Sequence, residues 1–374
     1  MKHEALVSLR PAVALAIVAW CGTVALMALG CAGGAKPASG DAPPAAAKVR
    51  VEAARLVCRL IADNPGAARV QVTGADGAQS LPGAGSTYWF FGDTVRRGDG
   101  GRSDVIPATV ATTSDTDARD CVDLTFKSSG GLAEPLFPRR EETTAWPDGV
   151  VRLPDGSAAF YMVKAVRTSP FAWHVSAVGI GTIAPGALTG VRVNERLWDE
   201  TSGFGSRVAG ARSPVVQGDD VLVYLHTEAG ANYVAKAPIA RLADASAYTY
   251  WDGAGWDASP ANAQPMWPVQ PDALPPDNGV QVTYDEPSGA WWAITNTHMA
   301  TVDLRTAPSP VGPWSAPLTL LDCRQFVGAE YPFCYSGELH RELSRDGGDT
   351  LYLTFAGQQP YDVTLVELKV ARDD

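Results

Sequence analysis

Carboxylates and aromatic rings are the groups left to do chemistry once the sequence is sorted by reaction class. The 374 residues contain no Gly-x-Ser-x-Gly elbow, no GxxxxGK[ST] phosphate loop, no His-Glu-x-x-His and no Cys-x-x-Cys pair. Serine-esterase, nucleotide-hydrolysing and zinc chemistry therefore have no foothold. Glycosidic cleavage asks for less: an acid to protonate the leaving oxygen, a carboxylate to attack or to activate water, and ring faces to cover the sugar. Asp93 closes the aromatic run Tyr88-Trp89-Phe90-Phe91 within Gly92-Asp93-Thr94, where glycine lets the backbone turn and aims the carboxylate away from the packed strand. Asp76 ends Val72-Thr73-Gly74-Ala75 on the preceding segment, and a hairpin joining the two segments would bring both acids to one rim. Gly-Asp and Gly-x-Asp are also ordinary turn signals, so spacing alone leaves a structural role open.

Around this pair, Trp146, Arg212, Asn296, Tyr335 and His340 sit near the starts or ends of candidate inner strands and are the pocket-lining candidates. Glu141 or Glu142, just before Trp146, is the alternative acid. Asp115, Asp117, Asp120 and Asp123 form an acidic cluster without the turn Gly and closing Glu of a calcium loop, and read as a solvated loop. No cofactor or metal site is called for, and a structural cation on the molecule's axis is left open.

The elements that must carry these residues are strands. From Val49 onward, short β-branched and aromatic runs bounded by Gly, Pro, Asp and Ser replace any helical spacing. An apolar strand, a tight turn and a strand centred on an aromatic recur at Trp89, Tyr161, Tyr224, Trp292 and Tyr352, in steps of 72, 63, 68 and 60 residues. A unit of about 65 residues, holding four short antiparallel strands, is the arithmetic of a propeller blade. The fold expected is an all-β, five-bladed β-propeller over 49–374, with a pair of β-sandwiches as the runner-up. Val49 to Val57 and Val363 to Val370 are the strands expected to pair and close the ring, and Trp251, Trp256, Trp291 and Trp314 are expected to pack between blades.

Residues 1–30 read as an export signal: Lys2 and Arg10 precede an apolar run from Pro11 to Gly30. Ala28-Leu29-Gly30 before Cys31 resembles the lipobox of bacterial lipoproteins, in which that cysteine is lipidated; an uncleaved anchor and plain secretion are the alternatives. Residues 31–48 form a Pro/Ala/Gly-rich tether with too little apolar bulk to pack. All three readings place the folded body outside the cytoplasm, in the envelope or secreted. In an oxidising compartment the four remaining cysteines suggest disulfides. Of three connectivities, the short separation favours Cys323 with Cys334, leaving Cys58 with Cys121. A net charge of −11, with charged residues only 19% of the chain, argues against nucleic acid or an anionic membrane surface as a partner. A monomer acting on a polysaccharide, touching the membrane only through a lipid anchor, is expected.

Several stretches resemble one family. Thr73-Gly-Ala-Asp76 and Tyr88-Trp-Phe-Phe-Gly-Asp-Thr94 look like the opening of a family long carried as a domain of unknown function, some members of which are endo-D-arabinanases that cut mycobacterial arabinan. The similarity continues in Ala237 to Arg241, Ser246 to Trp251 with Gly255-Trp256, Leu304-Arg305 with Gly312 to Ser315, Tyr335 to His340, and Tyr361 to Val363. The resemblance implies a five-bladed propeller and a glycoside hydrolase in which Asp76 and Asp93 act as a retaining pair. Retention would hold the carboxyl groups about 5 to 5.5 Å apart, inversion about 6.5 to 9.5 Å. Asp93, leaving a rigid aromatic strand, is the assigned nucleophile and Asp76 the acid/base, an assignment that the sequence would equally allow reversed. The second functional reading is a carbohydrate-binding surface lipoprotein without turnover, and the third a structural propeller that holds partner proteins.

Overall fold

A computed structural model describes residues 49–98, 101–138, 144–169, 172–269, 279–330, 332–358 and 360–372. Residues 1–48, with the expected export signal, Cys31 and expected tether, and Glu141 and Glu142 lie outside the described residues. Among those described, strands dominate; the α-helix is a single short turn, Pro65–Arg69, and no helix is long and apolar enough to cross a membrane.

Five antiparallel sheets follow one another along the chain. Blade 1 uses Val72–Pro82, Thr87–Arg97, Thr109–Thr113 and Thr125–Phe126, with Ser103–Ile106 paired beside its second strand. Blade 2 uses Thr144–Arg152, Ala158–Ser169, Ala172–Ile183 and Val191–Trp198. Blade 3 runs from Val208–Gln217 through Asp220–Thr227 and Asn232–Pro238 to the short Thr249–Trp251 and Trp256–Asp257. Blade 4 uses Val280–Asp285, Ala290–Thr297, Thr301–Ala307 and Leu318–Asp322. Blade 5 takes Cys334–Leu339, Thr350–Gln358 and Tyr361–Arg372 from the C-terminus and its outermost strand, Val49–Arg59, from the N-terminal side. That strand runs antiparallel to the last one, from Val49 opposite Arg372 to Arg59 opposite Thr364, so the ring closes where the sequence predicted.

The aromatic repeat has a packing reason. Trp89, Tyr161, Tyr224, Trp292 and Tyr352 each lie on the second strand of a blade and are fully buried. A sheet must cover both faces in a ring, so the core divides into five apolar clusters, one in each gap between neighbouring blades. Trp314 is buried in the gap between blades 3 and 4, with Trp251, Trp256 and Trp291 packed against the same cluster. Cys58 and Cys121 form a disulfide with Cα atoms 5.6 Å apart, tying the outer strand of blade 5 to a loop of blade 1; Cys323 pairs with Cys334 at 6.3 Å.

Toward the axis the five inner strands are laced by polar side chains. Gln79 donates to the Asp148 carbonyl at 2.5 Å, and the Asp148 carboxylate accepts the Ala211 N–H at 2.7 Å. Arg212 reaches Glu338 at 2.8 Å, Gln281 donates to Glu338 at 2.9 Å, and Leu339 donates its N–H to Gln281 at 2.7 Å. Every blade contributes to this belt, which satisfies polar groups that the ring would otherwise bury without partners.

Candidate functional site

The belt floors a cavity of about 790 Å³ whose wall includes Asp76, Asp93, Trp146, Arg212 and Tyr335, a volume within the usual range for small-ligand pockets. Five residues singled out from separate parts of the sequence thus meet in one place. Asn296 and His340 do not, and here the expectation is corrected. His340 is fully buried, stacked on Trp89 with ring centroids 4.5 Å apart, and its two ring nitrogens meet Ser80 Oγ at 2.7 Å and Thr354 Oγ1 at 2.8 Å. Asn296 is buried as well; its amide oxygen accepts the Gly337 N–H and its nitrogen donates to the Thr301 carbonyl at 3.4 Å. Both side chains tie one strand to another.

Two consecutive bulges aim the acids. Ala75 pairs with Thr94 and Gly77 with Phe91, so Asp76 alone faces both Gly92 and Asp93; one step later Ala78 is the extra residue between Gly77 and Gln79. Bulges redirect side chains at the rims of sheets. The glycines of both motifs now have reasons. A Cβ at position 92 would overlap the Asp76 carboxylate, and one at position 74 would strike the Tyr361 backbone and ring. Strain gathers at the same place: Ala78 holds φ at 104°, and at the cavity Met299 and Ser336 hold φ at 51° and 53°, left-handed values costly for non-glycine residues.

The carboxylates sit in different surroundings. Asp93 accepts the Trp146 indole N–H at 2.7 Å. Asp76 accepts the Tyr335 hydroxyl at 3.0 Å, and Tyr335 accepts in turn from Gln358 at 3.1 Å. Burial first, then the negative charge of Asp93, push the Asp76 pKa from its ordinary 3.8 up to about 7; the hydroxyls of Tyr361 and Tyr335 and the Asp93 N–H favour its carboxylate and resist that rise. Such a group carries its proton through weakly acidic pH and can give it up near neutrality. An acid raised in this way beside a second carboxyl group in one cavity fits the proton-donating half of a two-carboxyl site.

Sequence reasoning left other cavity residues unassigned. Gln358 and Tyr361 come from blade 5, Asp148 from blade 2 and His226 from blade 3. Burial pushes the His226 pKa down, and Glu338, bound to Arg212, is pushed up by burial against the opposing pull of that arginine. A Tyr361-Asp-Val363 match was visible in the sequence; what it touches was not.

A family described as "Domain of unknown function (DUF4185)" matches residues 62–367. The chain belongs to that family. The DUF4185 fold has solved counterparts. A structure from Bacteroides ovatus, described as a "putative hydrolase", superposes with a TM-score of 0.59 at 13% identity, over 80% of this chain and 86% of that one. Alpha-L-arabinofuranosidases from Podospora anserina and Clostridium thermocellum are more distant. The first has a TM-score of 0.47 at 10% identity, over 84% of this chain and 95% of that one. The second has a TM-score of 0.47 at 10% identity, over 76% and 82%. At 13% identity the first of these likenesses is one of fold. No curated protein matches the DUF4185 chain.

Proposed function

We propose that this protein is a glycoside hydrolase that cuts arabinofuranosyl linkages inside a polysaccharide, with D-arabinan as substrate, by a retaining mechanism. One observation carries the reading: Asp76 and Asp93 are brought together by the double bulge on one wall of the cavity, where burial and the charge of Asp93 raise the Asp76 pKa to about 7, as an acid/base requires. The resemblance of the two aspartate motifs to endo-D-arabinanase sequences supports the choice of sugar.

In this reading Asp76 gives its proton to the leaving oxygen as the glycosidic bond breaks and Asp93 bonds to the anomeric carbon. Esterification removes the Asp93 charge, one of the causes that raise the Asp76 pKa. Asp76 thereby becomes the base that takes a proton from water when the second step releases Asp93. Trp146 holds the nucleophile, and Arg212 and Tyr335 shape the cavity that receives the chain. The apolar leader, Cys31 and the tether support an enzyme anchored by lipid or secreted at the envelope, in keeping with two disulfides.

Purified protein from Val49 onward, incubated with D-arabinan, arabinogalactan and unrelated glycans, tests this directly. New reducing ends from D-arabinan, with the first-formed anomer matching the substrate linkage by proton NMR, are expected. Binding without any new reducing end over long incubation would replace the enzyme with a carbohydrate-binding module, and an inverted anomer would replace the retaining mechanism.

A further inference from the structure

Asp76 on the first blade is held by residues from the opposite end of the chain. Tyr335, on the inner strand of blade 5, donates its hydroxyl to Asp76 Oδ2 at 3.0 Å, while Gln358 Nε2 donates to the Tyr335 oxygen at 3.1 Å and so fixes its lone pairs. Tyr361, which opens the next strand, donates to the backbone carbonyl of Asp93 at 3.0 Å. Tyr361 lines the cavity together with Asp76 and Tyr335, and its hydroxyl favours the charged form of the Asp76 carboxyl group. Burial pushes both phenols far above their ordinary value. They therefore stay protonated and work as donors. A hydroxyl has one proton, so Tyr361 can serve the Asp93 carbonyl or Asp76, not both at once. A donor gains more from an ionised acceptor than from a neutral carbonyl, so the preferred partner changes when Asp76 loses its proton.

We propose that Tyr335 and Tyr361 are positioning residues for Asp76, Tyr335 fixing the carboxyl group and Tyr361 turning its hydroxyl from the Asp93 carbonyl to Asp76 as the acid's proton leaves. In the first half-reaction the Asp76 proton goes to the leaving sugar oxygen and Asp93 forms the new bond to the anomeric carbon. Between the half-reactions Asp76 is an anion, and Tyr361 donates to it. In the second, water gives a proton to Asp76 as its oxygen displaces Asp93, and Tyr361 returns to the Asp93 carbonyl. No oxidant or further reactant is needed. The titratable groups facing Asp76 are Asp93 from its own blade and Tyr335 and Tyr361 from blade 5. The gap between first and last blades is thus part of the site.

The proposal rests on the glycosidase reading for its kinetics but not for its titration, and the test uses both. Tyr335→Phe and Tyr361→Phe each remove a donor to the carboxylate, so the Asp76 midpoint should rise by about half a unit to one unit. It is read by carbon-13 NMR on labelled aspartate, with Asp76→Asn assigning the signal. In turnover, the alkaline limb of kcat/KM should move up by the same amount while kcat falls at least about 10-fold, because the anionic base is the state that loses its support. A residue of merely structural importance would lower activity without moving the limb. Gln358→Leu, which removes the hydrogen bond to the Tyr335 oxygen, should give a smaller shift of the same sign and serves if Tyr335→Phe melts early. An unchanged or lowered Asp76 midpoint in Tyr361→Phe and in whichever Tyr335 or Gln358 variant folds overturns the proposal. If the wild type cleaves no glycan, the functional reading fails and the titration still decides the role of the tyrosines.

Discussion

At the residue scale, Asp76 illustrates how a site opposes the stability of its own fold. Its carboxyl binds a proton more tightly in the folded chain, at about 7, than at its ordinary 3.8. The contribution is fully favourable below about pH 4 and is lost as pH rises through about 7. Asp76→Asn, similar in shape and uncharged, should therefore be more stable to urea than the wild type above pH 7, by about 1–3 kcal/mol of unfolding free energy, with the difference vanishing toward pH 4. The same variant should lose activity by about 100- to 10,000-fold, the range for removing a general acid. Equal stability of the two proteins at pH 8 would show that Asp76 is not held in a hostile site.

At the element scale, the chain depends on a strand borrowed from its N-terminal side. Val49–Arg59 covers the outer edge of blade 5, and the Cys58–Cys121 disulfide, closing 63 residues, pins it across to blade 1. By loop-closure entropy such a bridge stabilises by about 4 kcal/mol at most. Paired Cys58→Ser and Cys121→Ser substitutions should lower the free energy of unfolding by about 2–4 kcal/mol in equilibrium denaturation while leaving the blade 4–5 disulfide intact. The blades were legible in the sequence because each second strand needs one large ring to fill a gap between sheets, and that need repeats with the blade. Asn296 and His340 were misplaced for a related reason. Successive strand residues face opposite sides, so nearness to a strand end does not say which face a side chain takes. His340 takes the face that stacks on Trp89.

At the scale of the whole molecule, closure of the ring makes the site. Asp76 and Asp93 were legible because both belong to one hairpin, with glycines marking where the backbone must bend. Tyr361 and Gln358 were not, because nothing local marks residues that meet their partners only when the last blade docks on the first. The axial belt carries the same dependence. Arg212 is buried against Glu338, so Arg212→Leu would leave that carboxylate with the Gln281 amide but without its cation and should destabilise the protein by about 3–5 kcal/mol at pH 7, less at low pH where Glu338 is protonated. Equilibrium unfolding across pH would show this slope. The most direct measurement for the whole account is oligosaccharide release from D-arabinan by wild type and by Asp93→Asn, with folding of the variant verified by its circular dichroism. The account predicts a fall of at least about 1,000-fold on loss of the nucleophile; release by Asp93→Asn at the wild-type rate would contradict it.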